Sequence, residues 1–178
     1  SDPHYMEGRL ELAKMALERG EAAIALNHVL AAIEASRDEG YTGYWSADEG
    51  YRLLGRAQWE MGMYDEAAGS LATALEAAPG DAETLYWLGM AQLSLQDYQA
   101  AESHFRQAIE ARQPFPEAGA DLGTALVGQQ RFVEAYPLLA AAVEQGLGSA
   151  WRHQALAVTL IDANRLEDAA QQLELSLA

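Results

Sequence analysis

Four histidines, twenty-seven carboxylates and no cysteine bound the chemistry open to this 178-residue chain. The absence of thiols excludes disulfides, thiol catalysis and the usual zinc-finger ligand sets. His4, His28, His104 and His153 lie far apart, and neither an HExxH pair nor calcium-loop acid spacing occurs. The acid pairs Asp65-Glu66 and Glu167-Asp168 fall where helices are expected to begin, and the helix dipole favours negative charge there. Acid–base work would instead need buried, converging carboxylates. Gly146-Leu147-Gly148 is an isolated GxG, too short to hold a dinucleotide. Arg52 and Arg56, one helical turn apart, suit a carboxylate held by forked hydrogen bonds, or an ion-pair network with Glu49 and Glu60. No catalytic constellation emerges. The chain reads as a non-enzyme without cofactor or metal.

Charge narrows the partners. Eleven basic residues against the acids leave a net charge of −16. Phosphate backbones and anionic lipid surfaces both require a cationic face, so nucleic-acid binding and membrane docking are disfavoured. A protein or peptide partner remains, basic or shaped as an amphipathic helix. The same acid excess also keeps an alanine-rich helical chain soluble. No run approaches the roughly 20 apolar residues that span a bilayer. No targeting signal is visible, so the compartment stays open between cytoplasm and periplasm. The Arg-rich, Ala-rich composition suggests a bacterial source. Residues 1–5 fit no repeat and read as a cloning scar or a disordered terminus.

Whatever these residues do, a periodic scaffold must position them. Gly55, Gly89, Gly123 and Ala157 recur every 34 residues, as do Leu54, Leu88, Leu122 and Leu156. The same step aligns Ala67, Ala101, Ala135 and Ala169, then Ala74, Ala108 and Ala142 with Ser176. Bulky residues keep the register at Tyr64, Tyr98, Phe132 and Leu166, and again at Leu71, Phe105, Leu139 and Leu173. A fixed period of this size marks stacked repeats. Within each unit, apolar residues at i, i+3, i+4 and i+7 predict two amphipathic helices, as over 82–95 and 98–111. Gly20, Gly62 and Asn164 suit left-handed helix ends, with Gln96 and Gln130 at the corresponding places. Asp81 and Ser149 are placed to cap helices, and Pro116 to open one. His28 and His104 occupy equivalent positions, which marks packing or surface residues, and His153 stands where Tyr51 opens an earlier copy, which predicts a structural role there.

The pattern Tyr51-x2-Leu54-Gly55, Tyr64, Ala67, Leu71, Ala74 and Pro79 resembles the tetratricopeptide repeat. Leu88-Gly89, Tyr98, Ala101, Phe105 and Ala108 repeat it. The resemblance covers nearly the whole chain: a first copy over 6–47, then 48–81, 82–115, 116–149 and 150–178. It implies an all-α, right-handed solenoid of about five helix–turn–helix hairpins. The first copy matches through Leu12-Ala13, Gly20, Ala25, Val29 and Ala32, and carries an eight-residue insert at 38–45 containing Tyr41, Tyr44 and Trp45. Those rings either cover a junction or form a knob at a groove edge. The last copy has no polar cap over Leu173 and Leu177, which implies continuation or docking to another chain.

The resemblance further implies a concave groove lined by first helices. Its residues would be Leu10, Lys14 and Leu17, then Arg52, Arg56 and Trp59, then Tyr86, Met90 and Leu93. Ala120, Thr124 and Val127, followed by Gln154, Val158 and Ile161, would continue it. An exposed apolar stripe of this kind either marks contacts with a protein segment or is buried in part by superhelical packing. The Lys and Asn pair of chaperone-tail binders is missing. The expected role is a protein-binding scaffold or adaptor within a larger bacterial assembly. The alternatives are a homo-oligomerising module with open repeat ends and an accessory domain of a larger enzyme or polysaccharide export protein.

Overall fold

The computed structural model describes residues 5–37 and 46–177. All regular structure among them is α-helical: α1 (Tyr5–Glu18), α2 (Ala22–Ser36), α3 (Ala47–Glu60), α4 (Tyr64–Ala77) and α5 (Ala82–Ser94), then α6 (Tyr98–Ala111), α7 (Pro116–Gly128), α8 (Phe132–Glu144), α9 (Ala150–Asp162) and α10 (Leu166–Leu175). Tyr5, expected outside the repeats, opens α1 and lies beneath the Arg9 guanidinium. The insert 38–45, with its three aromatic residues, lies outside the described residues. The chain forms two compact units, Ser1–Ala91 and Gln92–Ala178, and the division falls within α5.

One turn chemistry closes all five helix pairs. Gly20, Gly62, Gln96, Gln130 and Asn164 each adopt positive φ, between 57° and 79°. The next amide reaches back five residues, as in Met63 N–H to Gln58 O at 2.9 Å and Arg131 N–H to Leu126 O at 2.9 Å. The left-handed residue itself bonds three back, as in Gln96 N–H to Leu93 O at 3.0 Å. This double closure satisfies carbonyls that a helix end otherwise leaves open. It fixes where the second helix starts, and so which of its residues face the first.

In the first unit, Met6, Leu10, Ala13, Leu17, Val29, Leu53 and Leu54 form a continuous buried cluster. Leu10 and Leu17 therefore belong to the core rather than to a binding face. A second cluster joins Ala67 and Leu71 of α4 to Leu88 and Ala91 of α5. Helix approach there depends on Gly55, since a Cβ at that position would run into the Leu71 side chain. In the second unit Gly123 plays the same part against Leu139, where a Cβ would meet Cγ at 2.9 Å.

Helix starts are less uniform. Asp81 caps α5 as expected: its carboxylate accepts from the Thr84 amide at 2.8 Å and the Thr84 hydroxyl at 2.6 Å. Asp97 does the same for α6, accepting from the Ala100 amide at 3.2 Å. Ser149 departs from the expectation. It precedes α9 in extended backbone, but its hydroxyl makes no capping bond and is buried without a partner.

Candidate functional site

Three first helices of the first unit, α1, α3 and the start of α5, carry a mixed aromatic and charged surface. Trp59 and Trp87 lie 5.3 Å apart between ring centroids, tilted by 58°. Tyr86 meets Trp87 edge-on at 5.4 Å, and Tyr64 flanks Trp59 at 6.3 Å. All four rings are half-buried. Tilted and edge-on contacts match the ring quadrupoles and contribute about 1 kcal/mol each beyond area burial. The Arg56 guanidinium sits 5.1 Å above the Trp87 ring and donates to Glu60 at 3.0 Å.

Ion pairs then link one hairpin to the next. Lys14 of α1 holds Glu11 at 2.7 Å and Glu49 of α3 at 2.5 Å. Burial alone would lower the Lys14 pKa, but hydrogen bonds and charge from Glu11 and Glu49 outweigh it and raise the value above the ordinary lysine range. Arg52 of α3 reaches Glu83 at 2.7 Å and Asp81 at 3.7 Å, both at the start of the next hairpin. The expected Arg56–Glu60 pair forms. Arg52 pairs instead with these two acids, while Glu49 pairs with Lys14. Asp48, hydrogen-bonded by Ser46 and near Arg52, is held below the ordinary carboxylate range.

Lys14, Arg52, Arg56, Trp59 and Tyr86 thus share this unit's first-helix surface, all half-buried. Met90 does not join them. It is only 5% exposed, and its neighbours Gly89 and Ala91 are buried with it. Burial wraps so far around α5 that the surface stripe is narrower than the spacing suggests. Trp87, which the groove pattern omits, joins the face while packing with Trp59 against the Ala67–Leu71–Leu88–Ala91 cluster. Its position matches Leu53 one repeat earlier, a core residue, and the pattern assigns it to packing alone.

The second unit holds the remaining expected residues. Leu93 in the last turn of α5, with Thr124 and Val127 on α7, is half-buried, while Ala120 lies in the core. The Thr124 hydroxyl donates to the Ala120 carbonyl at 3.4 Å. Gln154, Val158 and Ile161 of α9 are exposed. Helices α7 and α9 are held together by a forked pair that the repeat pattern does not reveal. Arg152 donates to Asp121 through Nε at 2.9 Å and Nη2 at 3.1 Å, and to the Leu147 carbonyl at 2.8 Å.

Each described histidine ties one helix to another. His104 Nδ1 lies 2.7 Å from Gln92 Oε1, the same register at which Ser70 donates to Gln58 at 2.6 Å. His28 meets Arg9 at 3.0 Å and His153 meets Gln172 at 2.8 Å. Among the described residues no three histidine or acidic side chains converge as a metal site. Nor is any helix among them long and apolar enough to cross a membrane.

A family model described as a tetratricopeptide repeat matches residues 52–116. No curated protein matches the sequence. Among solved structures, the chain is similar to YrrB, "a TPR protein with an unusual peptide-binding site", at 25% identity and a TM-score of 0.67. That likeness covers 95% of this chain and 83% of YrrB. MamA from Desulfovibrio magneticus RS-1 matches at 18% identity and a TM-score of 0.73, over 99% of this chain and 94% of that one. MamA MSR-1 matches at 21% and 0.71, over 97% and 92%. The all-α hairpin fold is therefore that of the repeat solenoids. Residues 52–116 therefore carry the tetratricopeptide repeat, and the in-register turns and small residues on both sides of them continue its pattern.

Proposed function

We propose that this chain is a non-catalytic interaction scaffold that holds a protein or peptide segment against the first-helix surface of its first unit. The observation that carries the reading is the half-buried group Trp59, Trp87 and Tyr86. Tryptophan and tyrosine are the residues most enriched at the energetic centres of protein interfaces. Their likeness to a fold that in YrrB bears a peptide-binding site supports the choice of a peptide over a small molecule. An adaptor within a larger bacterial assembly is the setting such a surface suits.

The experiment is peptide selection from a random display library, followed by affinity measurement against variants. Trp59→Ala and Trp87→Ala should each weaken the selected peptides at least about tenfold, whereas Gln99→Ala on the exposed side of α6 should leave them unchanged. Equal affinity for all three variants would remove the site from this surface.

A second reading, self-association, has its own observation. Leu173 is 42% exposed on α10, whereas its in-register equivalents Leu71, Phe105 and Leu139 are fully buried. Light scattering over a concentration series tests it. A constant monomer mass rejects it.

A further inference from the structure

The charges around the aromatic group do not balance. Lys14 is shared by Glu11 and Glu49, Arg52 by Glu83 and Asp81, and Arg56 pairs with Glu60. These pairs set five carboxylates against three cations. At Arg52 the acids are also the more exposed members: Asp81 and Glu83 keep 40% and 41% side-chain exposure against 20% for the Arg52 side chain that pairs with both. The first-helix surface therefore offers solvent the negative charge of Asp81 and Glu83 together with the half-buried aromatic rings, and both attract cations. Arg56, held between the Trp87 ring and Glu60, already realises that geometry once within the fold.

Given the reading of this surface as a binding face, we infer that its occupant is a cationic segment, with Arg or Lys against Glu83 and Asp81 and an apolar or aromatic residue against Trp59 and Trp87. The scaffold sets the spacing. Arg52 and Trp59 are seven residues apart on one helix, which at 1.5 Å per residue is about 10 Å. A ligand in the polyproline II conformation covers that distance in about three residues, at roughly 3.1 Å each, and with three residues per turn it presents residues i and i+3 on one side. The recognised unit is thus Lys/Arg-x-x-apolar in polyproline II form. An acidic tail meets surplus carboxylate here and is rejected. A second copy, itself at −16, brings the same sign of charge.

The test uses three labelled peptides of equal length built on Lys-x-x-Phe, Gln-x-x-Phe and Glu-x-x-Phe, titrated by fluorescence anisotropy. The lysine peptide should bind most tightly and lose about tenfold in affinity as salt rises from about 50 to about 200 mM. Glu83→Gln combined with Glu11→Gln should weaken it about tenfold while the glutamine peptide is unmoved and the thermal midpoint is kept. Equal binding of the lysine and glutamine peptides, both lost in Trp87→Ala, would overturn the charge assignment and leave the binding face standing. Preference for the glutamate peptide would also overturn it. Binding of none of the three, or binding indifferent to Trp87→Ala, would remove the face itself.

Discussion

Arg152 grips Asp121 through two arms of its guanidinium while Asp121 is completely buried and Arg152 nearly so. Removing one partner strands the other charge in the core, whereas removing both does not. Asp121→Ala should cost about 3–5 kcal/mol in urea unfolding. Asp121→Leu together with Arg152→Met should lie within about 1 kcal/mol of the parent, because the pair's own desolvation cost disappears with it.

The left-handed turn residues predict a gain. Gln130 holds φ at 60° with a side chain that disfavours it, at about 1–2 kcal/mol. Gln130→Gly should raise stability by about 1 kcal/mol after glycine's extra unfolded-state entropy is subtracted. Gln96→Gly should match it, and Gly62→Ala should move the other way. Thermal midpoints of the three variants check this.

Two helical glycines should answer oppositely to the same change. Gly55→Ala drives a methyl into Leu71, a fully buried residue, and should cost about 1–3 kcal/mol. Gly69→Ala, in α4 with open space where its Cβ would stand, should gain about 1 kcal/mol of helix propensity. Chemical denaturation of the pair reads both signs.

Glu102 should tie the second unit's stability to pH. Burial pushes its carboxyl up. Hydrogen bonds from Gln129 at 2.8 Å and from Arg106, with the charges of Arg131 and Arg106, outweigh that and hold it below the ordinary carboxylate value. A depressed folded-state pKa stabilises above the unfolded value and is lost as pH falls through the folded one. The stability gap between the parent and Glu102→Gln should therefore be flat above about pH 5 and close progressively below about 4.3.

Met90 and Trp59 separate packing from binding. Met90→Ala should cost about 2–5 kcal/mol as a core truncation, yet leave the affinity of a selected peptide intact at a temperature where the variant is folded. Trp59→Ala should do the reverse, with a smaller loss of stability and a larger loss of binding. Melting curves and anisotropy on both variants decide it.

The scaffold was legible because its determinants are periodic. Gly62, Gln96, Gln130 and Asn164 share one register, and all take the same backbone conformation although only the first is glycine. Position in the repeat outranks residue type there, since the five-residue closure requires a left-handed residue whatever its side chain. The site was less legible because it depends on departures from the period. One register position is occupied in turn by Leu53, Trp87, Asp121 and Ala155. The first packs the core, the second joins the aromatic face and the third anchors the buried ion pair. A consensus assigns all of them to packing, and the unlike types at one position were the signal available. Arg52 shows a second limit. Nearness along one helix favoured Glu49 as its partner, but stacking of the next hairpin supplies Glu83 and Asp81 instead.

The ion pairs from Lys14 to Glu49, Arg52 to Glu83 and Arg152 to Asp121 each reach about one repeat along the chain. A polypeptide held by such short-range ties pays little loop-closure entropy before its native contacts form. Assembly can then begin at any helix pair and spread to its neighbours, and during synthesis the leading pairs can close before the trailing ones have been made.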